Sequence, residues 1–505
     1  MSPTAVERAC AHIEPAPATY ARRRPDKTVL YGLVREHAET LFAEARDRSV
    51  GGYGYPAHVE NEFRRYIECG ILARGFMRVH CAGCGRDELV AFSCKGRAVC
   101  PSCVGRRMSD TAARLVDTRL PEARYRQWVF SFPWRLRVAL AKDGALLSEV
   151  LRACVRKVFA YQGRRARGQG IGAAQTLAVG FVQRFGSLLQ LNPHAHVAVP
   201  DAVWFDAGEG ALVQRALEPP TDAEVQAVGI AAVKAVLRVV QRSVERAEPD
   251  DEPAMTRALA EAAHSAAPTV SPLGRRVDRV AARPKRRGAV IQTELGVFSV
   301  HANTSVRAGD RAGLERLLRY GGRPALAHKR LSLTAAGKVC YRLRKPYYTG
   351  QTEVVLEPVV FLRRLAALVP PARQNQVRYY GLLAAQARDR DRLLALVPRG
   401  DGDRGADDAG AHGAGTDVVS EDAAEPRSGG GYRMRWAQLL ARVFGHQVLT
   451  CPTCGQARTI IAAITERDVA AKLLAHLGLP TDVPEFAQAR PPPQAELCFD
   501  DWPVA

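Results

Sequence analysis

The chain of 505 residues has little that would place it in a membrane or export it. No apolar run approaches the ~18 residues that cross a bilayer. The N-terminal MSPTAVERACAHIEP lacks the apolar core of a signal peptide. A soluble, cytoplasmic and nucleoid-associated protein without membrane partners is therefore expected. No G-x-x-x-x-G-K-[ST] phosphate loop occurs, which argues against nucleotide chemistry of that type. No repeat at fixed period occurs either, which excludes a solenoid. Negative charge is in deficit: 52 acidic against 72 basic side chains leave +20 at pH 7. Lysine is scarce, so the excess is mostly arginine, whose planar fork suits phosphate. This balance favours a polyanionic partner, nucleic acid first. The apolar share of 47% and charged share of 25% are ordinary for a folded chain.

Twelve cysteines without a secretory signal read as metal ligands or buried thiols, not disulfides. Cys81-Ala-Gly-Cys84 and Cys100-Pro-Ser-Cys103 have the spacing that delivers four thiolates to one structural Zn²⁺. Gly85 supports a tight knuckle in which backbone N–H groups approach sulfur. Cys94, between the pairs, could substitute as a ligand but reads first as an ordinary buried thiol, and His80 is discounted as a ligand. A further pair, Cys451-Pro-Thr-Cys454-Gly455, has no second pair after it. It forms a second zinc site, a knuckle without partners, or a site shared with distant residues.

The texture divides the chain. Residues 1–29 read as a flexible N-terminus and 30–120 as a helical, zinc-binding, DNA-binding domain, with Arg97, Arg106 and Arg107 facing DNA. Residues 121–398 read as an α+β domain. Its expected strands are 127–132, 176–185, 194–204 and 296–301, with a turn around Asn192-Pro193 and a loop over 205–222. Its expected helices are 145–162, 223–246, 311–320 and most of 358–396, with a hairpin over 338–356. The basic stretch 248–289 is a mobile connector or a phosphate-contacting arm. Residues 399–431 are acidic, Gly-rich and too poor in apolar surface to order themselves. A small C-terminal module, 432–505, follows, with a helix at 433–445.

The segment Asn192-Pro193-His194-Ala195-His196 carries the chemistry. On a strand, residues i and i+2 share a face, so His194 and His196 present two imidazoles side by side. Neutral imidazole is a good ligand for a divalent metal. Two ordinary strand histidines are the alternative.

In order, FSCKGRAVCPSC (92–103), WVFSFPWRLR (128–137), LNPHAHVAVPDAV (191–203) and LERLLRYGGRPALA (314–327) resemble the zinc-binding rolling-circle insertion-sequence transposases, members of the HUH endonucleases. The similarity runs from about 30 to 390 and again over 432–470. It implies a nuclease domain with a central antiparallel sheet flanked by helices. It also implies nicking of single-stranded DNA at transposon ends and targets, through a 5′-phosphotyrosine that leaves a 3′-OH. Matched position by position, Tyr320 is the nucleophile and His194 and His196 hold Mg²⁺ or Mn²⁺. Members with two tyrosines place the first one helical turn earlier. Arg316 stands there, so a single-tyrosine enzyme is expected.

His301 is the expected third ligand, with Asp201 a weaker candidate. Tyr347-Tyr348 and Tyr379-Tyr380 are rival tyrosines or stacking platforms for bases. Arg323, Arg342, Arg344 and Lys345 are expected to grip phosphates. Two rival readings are a non-enzymatic zinc-dependent DNA-binding regulator and a transposase using carboxylates and two metals.

Overall fold

The structure is a computed structural model that describes residues 24–49, 51–208, 210, 212–244, 281–285, 287–293, 295–347, 350–398 and 449–490. The acidic stretch 399–431, the helix expected at 433–445, most of the basic stretch 248–289, most of 1–29 and Cys498 lie outside the described residues.

In chain order the main elements are α1 (Val29–Asp47), α2 (Ala57–Glu68), β1 (Phe76–His80), β2 (Asp87–Ala91), α3 (Pro101–Thr118), β3 (Tyr125–Ser131), α4 (Arg137–Lys142) and α5 (Gly144–Gly168). There follow β4 (Leu177–Phe185), β5 (Leu191–Pro200), β6 (Ala202–Asp206), β7 (Leu212–Ala216), α6 (Asp222–Val244), β8 (Ala281–Lys285), β9 (Gly288–Thr293), β10 (Gly296–Val306) and α7 (Arg311–Gly321). The rest are β11 (Leu331–Leu333), β12 (Val339–Arg342), β13 (Glu353–Leu356), α8 (Pro358–Leu368), β14 (Val377–Gly381), α9 (Arg390–Leu394), β15 (Thr459–Ile464) and α10 (Arg467–His476). The fold class is α+β, as expected. The chain divides into a smaller unit of residues 1–25, 68–93 and 411–483 and a larger one of 26–67, 94–410 and 484–505.

The larger unit is built on a seven-stranded antiparallel sheet, ordered β14-β4-β5-β3-β10-β9-β8. Strand alternation sorts its side chains onto two covered faces. Ala178 and Val182 of β4, Ala195, Val197 and Val199 of β5, and Trp128 and Phe130 of β3 pack with α5 and α6. Leu177, Val179 and Phe181 point the other way, onto α3 and α7. Fully burying each large apolar side chain contributes roughly 1.5–3 kcal/mol. That double cover explains why all nine residues of β4 are buried.

The strand expected over 194–204 ends at Pro200, and Asp201 separates it from β6. Asp201 is buried and accepts from Arg126 Nε at 3.1 Å and Nη2 at 2.7 Å; Arg126 also donates to Ala302 O. The stretch 205–222, expected as loop, contains β7, which pairs with β6. Asn192-Pro193 is not a turn. It lies inside β5, and the reversal falls at 186–190. Pro193 has no N–H to donate, and it is tolerated because β3 pairing stops at His194 while β4 is irregular between Gln183 and Phe185. Residues 358–396 are only partly helical: β14 interrupts them as an edge strand carrying Tyr379 and Tyr380.

The smaller unit has a three-stranded sheet, ordered β15-β1-β2, all antiparallel. Among the described residues its clustered buried core is slight: Leu72, Ala73, Phe76, Ala470 and Leu474.

Candidate active site and thiol centres

The site face of the large sheet is the α3/α7 face. His194 and His196 alternate onto it from β5, with ring centroids 5.1 Å apart. Helix α7 starts at Asp310, whose side chain accepts from Gly313 N at 2.6 Å, a cap worth about 1 kcal/mol. Leu314, Leu317 and Leu318 then bury its sheet-facing side. Its last turn delivers Tyr320, whose ring meets His196 edge-on at 5.5 Å between centroids. The three residues expected to act together are therefore brought together.

What fixes the end of α7 is a residue that the sequence did not single out. Gln183 of β4 stands opposite His194 in the strand register. Its Nε2 donates to Tyr320 O at 3.0 Å and Gly321 O at 2.8 Å. These are helix-end carbonyls that lack an intrahelical partner. Gly321 permits the close approach: a Cβ there would lie 2.9 Å from the Phe181 ring. The other amide atom, Gln183 Oε1, is buried with no hydrogen-bond partner. Such atoms are costly unless they serve a ligand or an ion.

The imidazoles are held neutral. Burial lowers the His194 pKa to about 4; Arg323 and Arg137 press the same way, against the Asn192 carbonyl. Burial, then His194, then Arg323 lower His196 to about 3. Both are neutral at pH 7. The carbonyl of Asn192 can only accept, so the 2.7 Å contact places the His194 proton on Nδ1. That leaves its Nε2 lone pair for a metal, a common arrangement in metal sites. His196 Nδ1 is buried without a partner.

Cations ring the tyrosine. The Arg323 guanidinium lies 5.1 Å from the Tyr320 ring centroid and 4.9 Å from that of Phe185. Arg344, exposed beyond β12, lies 5.7 Å from Tyr320. Arg342 and Lys345 are exposed beside it. Arg137, missed from sequence, has a buried Nε without a partner. Next to the site opens a cleft of about 1270 Å³, lined by Gln183, Arg323, Arg107, Arg114, Arg378 and Tyr379 among others. Arg97 is turned inward instead of facing outward: it donates to the carbonyls of Pro371 and Gln374.

His301 is not gathered with the histidine pair. It shares a register row with His196, but Val129 of β3 lies between them, two strand spacings or roughly 10 Å. Its Nδ1 lies over Gly288 of β9 instead. Asp201 lies about seven residues along β5, roughly 23 Å from His194, and is engaged by Arg126. Among the described residues no cluster of carboxylates gathers at either place, and the groups of three or more ligand-type side chains are thiols. Burial pushes the Tyr380 phenol up to about 12, which disfavours it as nucleophile. Tyr379 is half exposed.

The thiols are shared out differently from the expected single set of Cys81, Cys84, Cys100 and Cys103. Cys81 and Cys84 group with Cys451 and Cys454, all four sulfurs within 4.8 Å of one another. A second group includes Cys94, Cys100 and Cys103. Cys94 is thus a member of a cluster, its Sγ 3.4 Å from that of Cys103, and not an ordinary buried thiol. The regrouping follows from β1 pairing with β15, which spacing within one segment cannot reveal. His80 pairs with Asp87 at 2.8 Å.

Backbone N–H groups hold the Cys81 thiol below the usual range, and those of Cys454 and Thr453 hold Cys451 at about 5. Cys84 and Cys454 receive N–H donors from Arg86 and Gln456, but the neighbouring thiols outweigh these and raise both, Cys454 to about 12. Four sulfurs so close cannot all ionise without a cation among them.

Residues 178–391 match a family model described as a putative transposase, and residues 34–132 match one described as a transposase zinc-binding domain. No curated protein and no solved structure matches the chain. The two matches define the class: a DNA-processing enzyme with a zinc-binding domain, acting as a transposase. Both matches agree with the resemblance to the zinc-binding insertion-sequence transposases: a transposase region and a transposase zinc-binding region lie in one chain.

Proposed function

We propose that the chain nicks and rejoins single-stranded DNA in rolling-circle transposition, with Tyr320 as nucleophile. The observation that carries this reading is the edge-on approach of Tyr320 to the His194/His196 pair. Tyr320 Oη attacks the scissile phosphorus and loses its proton to solvent. The P–Oη bond forms as the P–O3′ bond breaks, and the departing 3′ oxygen takes up a proton as a 3′-OH. The 5′ phosphate stays on the enzyme. Because one phosphodiester replaces another, rejoining needs no ATP, in keeping with the lack of a phosphate loop.

His194 Nε2, a His196 ring nitrogen and Gln183 Oε1 form the donor set for a divalent ion: two neutral imidazoles and one amide oxygen. They fit, because each is otherwise without a partner or has its other ring atom already bonded. A bound ion would polarise the phosphate oxygens as a Lewis acid. Two imidazoles favour Mn²⁺ over Mg²⁺. Gln183 also positions Tyr320 through the α7 carbonyls, and Arg323, Arg137 and Arg344 neutralise the phosphate. The arginine-lined cleft, with Tyr379 at its wall, suits an unpaired strand whose backbone tracks cations while bases stack.

The test mixes labelled single-stranded DNA from the element's end with protein and Mn²⁺, denatures the mixture, and looks for label on protein. A labelled adduct mapping to the Tyr320 peptide is expected. An undiminished adduct on Tyr320→Phe, or DNA cleaved with no adduct, overturns the reading.

A further inference from the structure

We propose that Cys81, Cys84, Cys451 and Cys454 hold one Zn²⁺ in a ribbon whose two knuckles come from opposite ends of the chain. Both family matches stop short of residue 451, so neither assigns this site.

The two knuckles are near copies. Cys81 N donates to Arg86 O at 2.9 Å and Gly85 N to Cys81 O at 2.8 Å. Cys451 N donates to Gln456 O at 2.8 Å and Gly455 N to Cys451 O at 2.9 Å. Gly85 and Gly455 take φ of 69° and 73°, the left-handed turn that glycine allows without strain. Zn–S bonds of about 2.3 Å set tetrahedral S···S edges near ~3.8 Å. The facing pairs Cys81–Cys454 and Cys84–Cys451 stand 3.4 and 3.6 Å apart, close to that edge. Arg86 Nη1 donates to Thr453 Oγ1 at 2.6 Å, joining the knuckles outside the sulfurs.

The described part of the unit also suits such a staple. Among the described residues its clustered core is a handful of side chains, and Ile460 and Ile461 of β15 remain 46% and 48% exposed. Small units with so little core are usually held by a metal or by disulfides. The ion would secure β15 and α10 to β1 and β2, closing a loop of more than 360 residues.

The experiment measures zinc per chain on the full-length protein and on Cys81→Ser/Cys84→Ser, Cys451→Ser/Cys454→Ser and the fourfold variant. Each is expected to lose one zinc relative to the unsubstituted chain, the fourfold variant no more than either double. Additive losses, or full zinc in the Cys451/Cys454 variant, overturn the proposal. Because a serine variant can lose metal by local unfolding, Cys454→His is read by the Co²⁺ absorption of the substituted protein. Metal retained with a spectrum shifted from four thiolates toward three thiolates and an imidazole supports the site. Loss of that same single ion also supports it. A spectrum identical to the unsubstituted chain overturns it.

Discussion

The histidine–tyrosine site and the split thiol centre meet opposite needs. The first is set in the broad sheet of the larger unit, where packing on both faces supplies rigidity. It therefore tolerates polar atoms left open: Gln183 Oε1, His196 Nδ1 and the Arg137 Nε have no partner. The second stands over a core that is slight among the described residues, and its sulfurs are drawn in by backbone N–H donors and by one another. An open donor set suits an ion that must meet substrate, and a closed four-sulfur set suits one that holds structure. The contrast predicts that losses at the sheet site fall on chemistry and losses at the thiol centre fall on folding.

The sharpest way to break the contrast is Tyr320→Phe. Adduct formation should fall on the order of 10⁴-fold or more, since the proposed nucleophile is gone. Thermal unfolding should move little, because α7 keeps its apolar face and its cap. A melting shift as large as that from Cys451→Ser would erase the distinction. Next in size is Gln183→Leu, which removes the open oxygen and the clasp on the end of α7. Metal affinity measured by Mn²⁺ titration of nicking should weaken about 10- to 100-fold. The apparent Mn²⁺ requirement staying at the wild-type value would mean that Gln183 is no ligand. Brief chelation should likewise abolish nicking reversibly while the zinc content holds.

The two sites differ in how far the amino-acid sequence alone discloses them. The pair His194/His196 was legible because strand alternation alone puts i and i+2 on one face. Tyr320 followed from the helix pattern at Leu314, Leu317 and Leu318 together with the resemblance. Gln183 was not, because an amide on the apolar strand LAVGFVQRF announces nothing until register sets it opposite His194. The knuckles were legible one by one through CxxC and glycine, but their partnership depends on β1 meeting β15 across the chain. Tyr379 and Tyr380 misled in the same way: their surroundings favour helix, yet pairing with β4 makes them an edge strand, since tertiary contact overrides propensity.

Acid should expose the sheet site's stored cost. His194 and His196 have folded pKa values of about 4 and 3, below the ~6.5 of an unfolded histidine. Between pH 6.5 and 4 the unfolded chain binds protons that the folded chain refuses, so stability falls as pH drops through that window. Above pH 6.5 the effect vanishes. Over pH 6.5 to 5, where carboxylates are still mostly charged, His196→Asn should show a shallower loss in urea unfolding than the unsubstituted chain. Parallel curves would mean that burial does not hold this imidazole neutral.

The smallest expected effect lies at the rim. Arg344 is exposed and lies over the Tyr320 ring face at 5.7 Å, so on the proposed reading it meets phosphate and does not shape the site. Arg344→Ala should weaken single-stranded DNA binding a few-fold at low salt, lower the salt slope by about 0.7, and leave the melting temperature unchanged. Arg323, half-buried between Phe185 and Tyr320, should differ: its loss should slow adduct formation more than it weakens binding. If the two substitutions behave alike in salt titration and in rate, the cations around Tyr320 act as one diffuse field, and the distinction between an open, shaped site and its electrostatic surroundings has to be redrawn.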